Sequence, residues 1–292
     1  MKRLIDNLKN SILAALLFIA PGITNAQQPI KHMETLKSSG YAPVNGLKMY
    51  YEIHGEGTMP LVLIHGGGST IETTFGKMLP LFAAHNKVIA VELQAHGRTH
   101  DRDTPESFEQ DADDVAALLK YLKIDKANIF GFSNGGTTTL QIAIRHPDVV
   151  NKIISLSGAY QREGFIAGFF DGFKGVTLDS MPAPLKAAFL KVTPDQSRLQ
   201  AMFERDVARM VSFKDIPDDA IKSIKVPALI MVSDKDVITA EHTVKIARMI
   251  TGAQLLILPG FHGACIGEMG MVKEGSKLPE VTAQLIEEFL NQ

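Results

Sequence analysis

Gly131-Phe132-Ser133-Asn134-Gly135 is the segment of this chain best suited to covalent chemistry. It follows an apolar run, Asn128–Phe132, and opens a helical pattern, Asn134–Arg145. A sharp strand-to-helix turn would hold the Ser133 hydroxyl on a strained backbone, and flanking glycines let chains approach where a Cβ would clash. The hydroxyl would then stand at a helix N-terminus, where free N–H groups and the dipole favour developing negative charge. That is the context a G-x-S-x-G nucleophile requires. A serine nucleophile needs a base, and the base needs an orienting group. His262 in Leu258-Pro259-Gly260-Phe261-His262 and the carboxylates of Ser233-Asp234-Lys235-Asp236 both follow apolar runs. Two carboxylates so close leave the acid open between Asp236 and Asp234, with Glu163 a remote third. His65-Gly66-Gly67-Gly68 closes another apolar run. His65 reads as a loop brace. His96 and His100 have ligand-like spacing but no third partner, so no metal or other cofactor is expected. Cys265 lacks a nucleophile's turn and has no second cysteine to pair with.

The elements that must position these residues read as alternating strands and helices. Tyr41–Val44 and Leu47–His54 flank Asn45-Gly46, a hairpin signal because a type I′ turn needs positive φ twice. Apolar runs follow at Leu61–Ile64, Lys87–Leu93, Asn128–Phe132, Lys152–Leu156, Ala228–Val232 and Gln254–Leu258. Their lack of polar alternation fits strands buried on both faces of a mainly parallel sheet. Helical patterns lie between them: Phe108–Leu122 behind a first turn at Pro105-Glu106, then Asn134–Arg145, Ala240–Ile250 and Pro279–Leu290. The alternation predicts an α/β fold with a mainly parallel central sheet flanked by helices. Residues 160–225 break it. Their glycines, prolines and helical stretches, such as Leu199–Val211, predict a helical cap inserted between residues 27–159 and 226–292 of one core.

From about Tyr41 to the C-terminus the chain resembles an α/β-hydrolase. His65-Gly66-Gly67-Gly68 is similar to that superfamily's oxyanion loop. Gln94-Ala95-His96-Gly97-Arg98-Thr99 resembles its D-x-x-G-x-G-x-S turn, with Gln94 and His96 departing from Asp and Gly. Ser233-Asp234-Lys235-Asp236 is similar to its G-x-x-D, and the loop ending at His262 to its histidine loop. The resemblance implies Ser133 as nucleophile, His262 as base and Asp236 as acid, in the family's chain order, with Asp234 capping a turn. It also implies an oxyanion hole from the backbone N–H groups of Gly67 and Asn134. A serine at position 133 argues against the family's aspartate-nucleophile dehalogenases and epoxide hydrolases. The absence of Trp further weakens a dehalogenase reading, and the elbow and insertion lack the aromatic pattern of prolyl iminopeptidases. What remains is hydrolysis of carboxylic esters or lactones through an acyl-enzyme, with a catalytically idle binding protein and a cofactor-free perhydrolase as alternatives.

Composition restricts the partners. The 292 residues carry a formal net charge of −2, which gives no reason to expect nucleic acid or an anionic membrane. Eleven apolar residues of the insertion, among them Phe165, Phe169, Phe173, Met181, Met202 and Phe203, predict an adaptable wall over the site. Such a wall suits soluble esters or lactones, including bulky lactones such as macrolides, better than long-chain triglycerides. At the N-terminus, Lys2, Arg3 and Lys9 precede the apolar run Ser11–Ala20, and Thr24-Asn25-Ala26 follows a Pro-Gly break. That pattern predicts a signal peptide over residues 1–26, cleaved after Ala26, with export to a periplasm or beyond and no membrane anchor left.

Overall fold

The computed structural model describes residues 35–292; the leader expected over residues 1–26 lies outside them. The chain runs through β1 (Leu36–Val44), β2 (Leu47–His54), β3 (Leu61–Ile64), α1 (Ile71–Phe75), α2 (Leu79–Ala83), β4 (Val88–Val91), α3 (Phe108–Tyr121), β5 (Ala127–Phe132), α4 (Asn134–Arg145) and β6 (Val150–Leu156). After the insertion, which holds α5 (Ala183–Val192), α6 (Gln196–Val211) and α7 (Asp218–Lys222), come β7 (Ala228–Lys235), α8 (Ala240–Met249), β8 (Gln254–Phe261) and α9 (Leu278–Leu290).

The eight strands form one sheet in the order β1-β2-β4-β3-β5-β6-β7-β8. Only the β1–β2 and β2–β4 pairs are antiparallel. Asn45 and Gly46 both take positive φ, 43° and 81°, as the hairpin signal requires. The central strands are wholly buried because helices cover both faces, and alternate side chains serve opposite cores. Val62, Ile64, Ile129 and Ile230 pack with residues of α3, α4 and α8. Leu61, Leu63, Phe130 and Met231 pack with residues of α1, α2 and α9.

Several boundaries depart from the sequence reading, each for a local reason. Helix α3 is capped by Ser107, whose side chain accepts the Gln110 N–H, so Pro105-Glu106 lies before the helix and is not its first turn. Glu106 is instead buried against Arg209 of α6. Two short helices after the glycine loop, α1 and α2, carry no strong periodic pattern; Thr70 starts the first with a reciprocal capping bond to Thr73. Strands β7 and β8 each run three residues beyond their apolar runs, and those extensions carry the chain to Asp236 and His262.

Candidate active site

Ser133 sits between the C-terminal end of β5 and the first residue of α4, with φ 55° and ψ −119°. A non-glycine residue there stores roughly 1–3 kcal/mol that the surrounding packing must hold in place. The flanking glycines explain how the packing does so. A Cβ on Gly131 would collide with the Gly135 carbonyl, and one on Gly135 with the Ile64 carbonyl of β3. Strand, turn and helix therefore close on one another only with glycine at both positions, and Ser133 is left pointing over the sheet.

His262 follows β8 and meets this serine. Its Nε2 lies 2.9 Å from Ser133 Oγ, and its Nδ1 lies 2.6 Å from Asp236 Oδ1. A carboxylate only accepts, so Nδ1 carries the proton and Nε2 is left to accept from the serine hydroxyl. The Phe132 ring packs against the imidazole at a centroid distance of 4.6 Å. Burial alone would lower the His262 pKa, but the Asp236 carboxylate outweighs it and raises the value above the ordinary histidine range.

Asp236 is buried and its charge is well supported. Oδ1 also accepts the Ile238 N–H at 3.0 Å, and Oδ2 accepts the Ser157 hydroxyl at 2.7 Å. Burial works to raise its pKa, yet His262 and these donors hold it below the usual carboxylate value. Asp234 faces elsewhere: exposed, it accepts the Gly260 N–H at 2.7 Å and ties β7 to β8. The register of the two strands shifts between Ser233 and Lys235, and this irregularity turns the two carboxylates to different partners. Glu163 pairs with Lys245 at the surface.

The glycine loop lies against the same turn. A Cβ on Gly67 would come within 2.6 Å of Asn134 Nδ2, so the loop and the start of α4 are in contact. Among the described residues no acceptor takes the N–H of Gly67, and the Asn134 N–H belongs to the unpaired first turn of α4. His65 braces the loop as a neutral imidazole, its Nδ1–H donating to the Gly66 carbonyl at 2.7 Å and its Nε2 accepting the Leu93 N–H at 3.0 Å. Burial pushes its pKa down to about 3. Glu268 holds the loop from the other side, accepting from Ser69 Oγ at 2.9 Å, and burial pushes this carboxyl up to about 7 close to His262. Cys265 is buried and its thiol is pushed up to about 12 by that burial, far from a nucleophile's range.

Over Ser133 the insertion encloses a cavity of about 290 Å³. Phe165, Phe169, Phe173, Met181, Met202, Phe203 and Met210 line it from above, with Ser133, His262 and the glycine loop below. The apolar residues of the insertion divide between this wall and its own core: Phe189 is fully buried with Leu199, and Phe170 stacks on Arg162. The insertion stands on the end of the segment that resembles the D-x-x-G-x-G turn and on the chain that leads from it into α3. Arg209 binds Glu106 at 2.5 Å and Asp111 at 2.9 Å, Arg205 binds Asp101 at 2.9 Å, and Arg198 donates to the Thr99 carbonyl at 2.8 Å.

Three residues of the site were not read from the sequence: Ser157, Asp206 and the buried role of His96. Asp206 of α6 lines the cavity and accepts from Gly68 N–H, His96 Nε2 and Asn134 Nδ2. A signal was present. Asp206 is a lone carboxylate on a helical stripe with Met202, Phe203 and Met210.

Comparison with known proteins agrees with this architecture. A model of the alpha/beta hydrolase fold family matches residues 59–187. The human serine hydrolase BPHL is 28% identical over 243 residues, covering 79% of this chain and 82% of that protein. The enol-lactonase from Burkholderia xenovorans LB400 superposes with a TM-score of 0.68 at 23% identity, over 86% of this chain and 100% of its own. Est816, described as an N-acyl homoserine lactone degrading enzyme, superposes with a TM-score of 0.63 at 26% identity, over 86% and 100%. With the eight-stranded sheet and the strand-to-helix turn at Ser133, these matches show that the chain has the alpha/beta hydrolase fold.

Proposed function

We propose that this hydrolase cleaves carboxylic esters or lactones through an acyl-enzyme on Ser133. The observation that carries the reading is the relay from Ser133 Oγ to His262 Nε2 and from His262 Nδ1 to Asp236, at the floor of an apolar cavity. In the first half-reaction His262 takes the hydroxyl proton as Ser133 attacks the ester carbonyl. The N–H groups of Gly67 and Asn134 receive the oxyanion, and the helix α4 dipole favours the same charge. His262 then protonates the leaving alkoxide, which in a lactone stays attached to the acyl chain. Water activated by the same imidazole releases the acid and restores the serine. Asp236 keeps the Nδ1 proton in place and steadies the imidazolium at each transfer.

The cavity favours soluble, predominantly apolar substrates. Its volume is near the lower end of the ~300–1,000 Å³ of pockets that enclose small molecules. Methionine and phenylalanine walls adapt to shape, so a bulky lactone such as a macrolide marks the upper end of the class. The serine hydrolase, enol-lactonase and lactone-degrading relatives support an acyl substrate. Hydrolysis of short p-nitrophenyl esters, a macrocyclic lactone and emulsified triolein by the wild type and Ser133→Ala tests the reading. Turnover of the soluble substrates, lost in the variant, is expected. Strong turnover of triolein alone, or equal rates in the variant, would refute it. The basic-then-apolar leader supports export, with mature protein beginning after Ala26. N-terminal sequencing of exported protein that still holds Leu13–Leu17 would exclude that cut.

A further inference from the structure

We propose that Asp206 is a positioning residue that latches the cap helix α6 to the oxyanion loop, so that the hole takes its donor geometry only while the cap is seated. The inference rests on the oxyanion role proposed for Gly67 and Asn134. Asp206 reaches down from the cap and binds three separate segments of the core. Its Oδ2 accepts the Gly68 N–H at 2.6 Å and His96 Nε2–H at 3.0 Å, and its Oδ1 accepts from Asn134 Nδ2 at 3.3 Å. Gly68 is the neighbour of one proposed oxyanion donor, and Asn134 is the other. No other side chain of α6 makes a hydrogen bond to the loop among the described residues.

A carboxylate beside a developing oxyanion would oppose it unless balanced, and the structure supplies the balance. His96 Nδ1 lies 2.8 Å from the Gln94 carbonyl while Nε2 faces Asp206. The Gly68 N–H lies 3.3 Å from Nε2 but 2.6 Å from Asp206 Oδ2, so its bond goes to the carboxylate. The Gln94 carbonyl and Asp206 are then left as acceptors for the two ring nitrogens, both carry protons and His96 is an imidazolium. In keeping with this, and although burial opposes both charges, His96 is held up at about 9 and Asp206 down at about 2 by their pairing. Burying two charges is costly, and an apolar residue would seat the helix more cheaply, as Met202 and Met210 do on the same stripe. What the carboxylate adds is direction: it fixes the Gly68 amide and the Asn134 side chain relative to the cap. The cap has other anchors, at Arg198, Arg205 and Arg209, none of which touches the oxyanion loop. Removing Asp206 should therefore loosen the loop and leave the cap in place.

Hydrogen exchange by mass spectrometry, with steady-state kinetics on a p-nitrophenyl ester and inhibition by a trifluoromethyl ketone, tests this in Asp206→Ala and Asp206→Asn. In Asp206→Ala, amides of residues 65–70 are expected to exchange faster while those of α6 keep their protection. A misplaced hole should lower kcat about 10²-fold, with KM within about threefold because ground-state binding is spared. Affinity for the ketone, whose adduct carries the oxyanion, should fall with kcat. Asn retains an oxygen for the Gly68 N–H, so Asp206→Asn should recover the loop protection and part of kcat. Unchanged exchange over 65–70, a loss carried by KM alone, or α6 opening together with the loop would overturn the proposal. Should Asp206→Ala not fold, His96→Gln decides it by the same loop-selective loosening or its absence. If the wild type hydrolyses no ester, the hydrolase reading fails and the exchange pattern alone decides the latch.

Discussion

Replacing Asp236 by Asn isolates the charge of the acid from its geometry. In the native site Oδ1 accepts from both His262 Nδ1–H and the Ile238 N–H, while Oδ2 faces only the Ser157 hydroxyl. An asparagine can keep its oxygen at the Oδ1 position and turn its amino group to Ser157, which accepts as readily as it donates. The His262 tautomer is then preserved, and what is lost is attraction between carboxylate and imidazolium. With charge centres about 4 Å apart and an effective dielectric near 20, that attraction is about 4 kcal/mol. The expected loss in kcat/KM is therefore about 10³-fold, and Asp236→Ala should lose at least as much. Asp234→Asn, which keeps an acceptor for the Gly260 N–H, should stay within about threefold, as surface changes usually do. Initial rates on one soluble ester, with thermal melts to confirm folding, measure both. A loss below tenfold in Asp236→Asn, or a larger loss in Asp234→Asn, would refute the assignment of the acid.

Further outcomes follow from the same geometry. Ser133→Gly and Ser133→Ala should both lose turnover, but the glycine variant should melt higher, because glycine relieves the positive φ that alanine retains. The pH profile of kcat/KM should rise with a midpoint above the ordinary histidine value, since His262 must be neutral to act as base and Asp236 raises it. Glu268→Gln should move that midpoint down, by removing a carboxylate that ionises near pH 7 close to the imidazole. For stability, the His96 pKa of about 9 lies above its unfolded value, so its contribution is complete below about pH 6.5 and lost as pH rises through 9. Melting temperatures of the wild type should fall over that window, and His96→Gln should flatten the fall.

What the sequence made legible was local. The elbow could be read because strand, glycines, serine and helix are contiguous, and the steric need for Gly131 and Gly135 is set by chain neighbours and one facing strand. The parallel sheet was legible because strands buried on both faces lose polar alternation. Asp234 and Asp236 could not be separated by chemistry alone, since the strand irregularity that turns one to Gly260 and the other to His262 depends on pairing with β8. The Asp206–His96 pair was hidden for a similar reason. Its members lie on a cap helix and a core turn that meet only in three dimensions, and each has an ordinary solvent-facing explanation when read alone. Glu106, read as part of a first helical turn, is buried because Arg209 arrives from that same cap.

The central claim is that Ser133 is an activated nucleophile, and covalent labelling tests it most directly. The native protein treated with a fluorophosphonate, digested and mapped by mass spectrometry should carry one adduct, on Ser133. Prior heat denaturation, Ser133→Ala or His262→Ala should abolish the label, since reactivity depends on the assembled relay. An unlabelled native protein, or an adduct on another residue that persists in Ser133→Ala, would contradict the account.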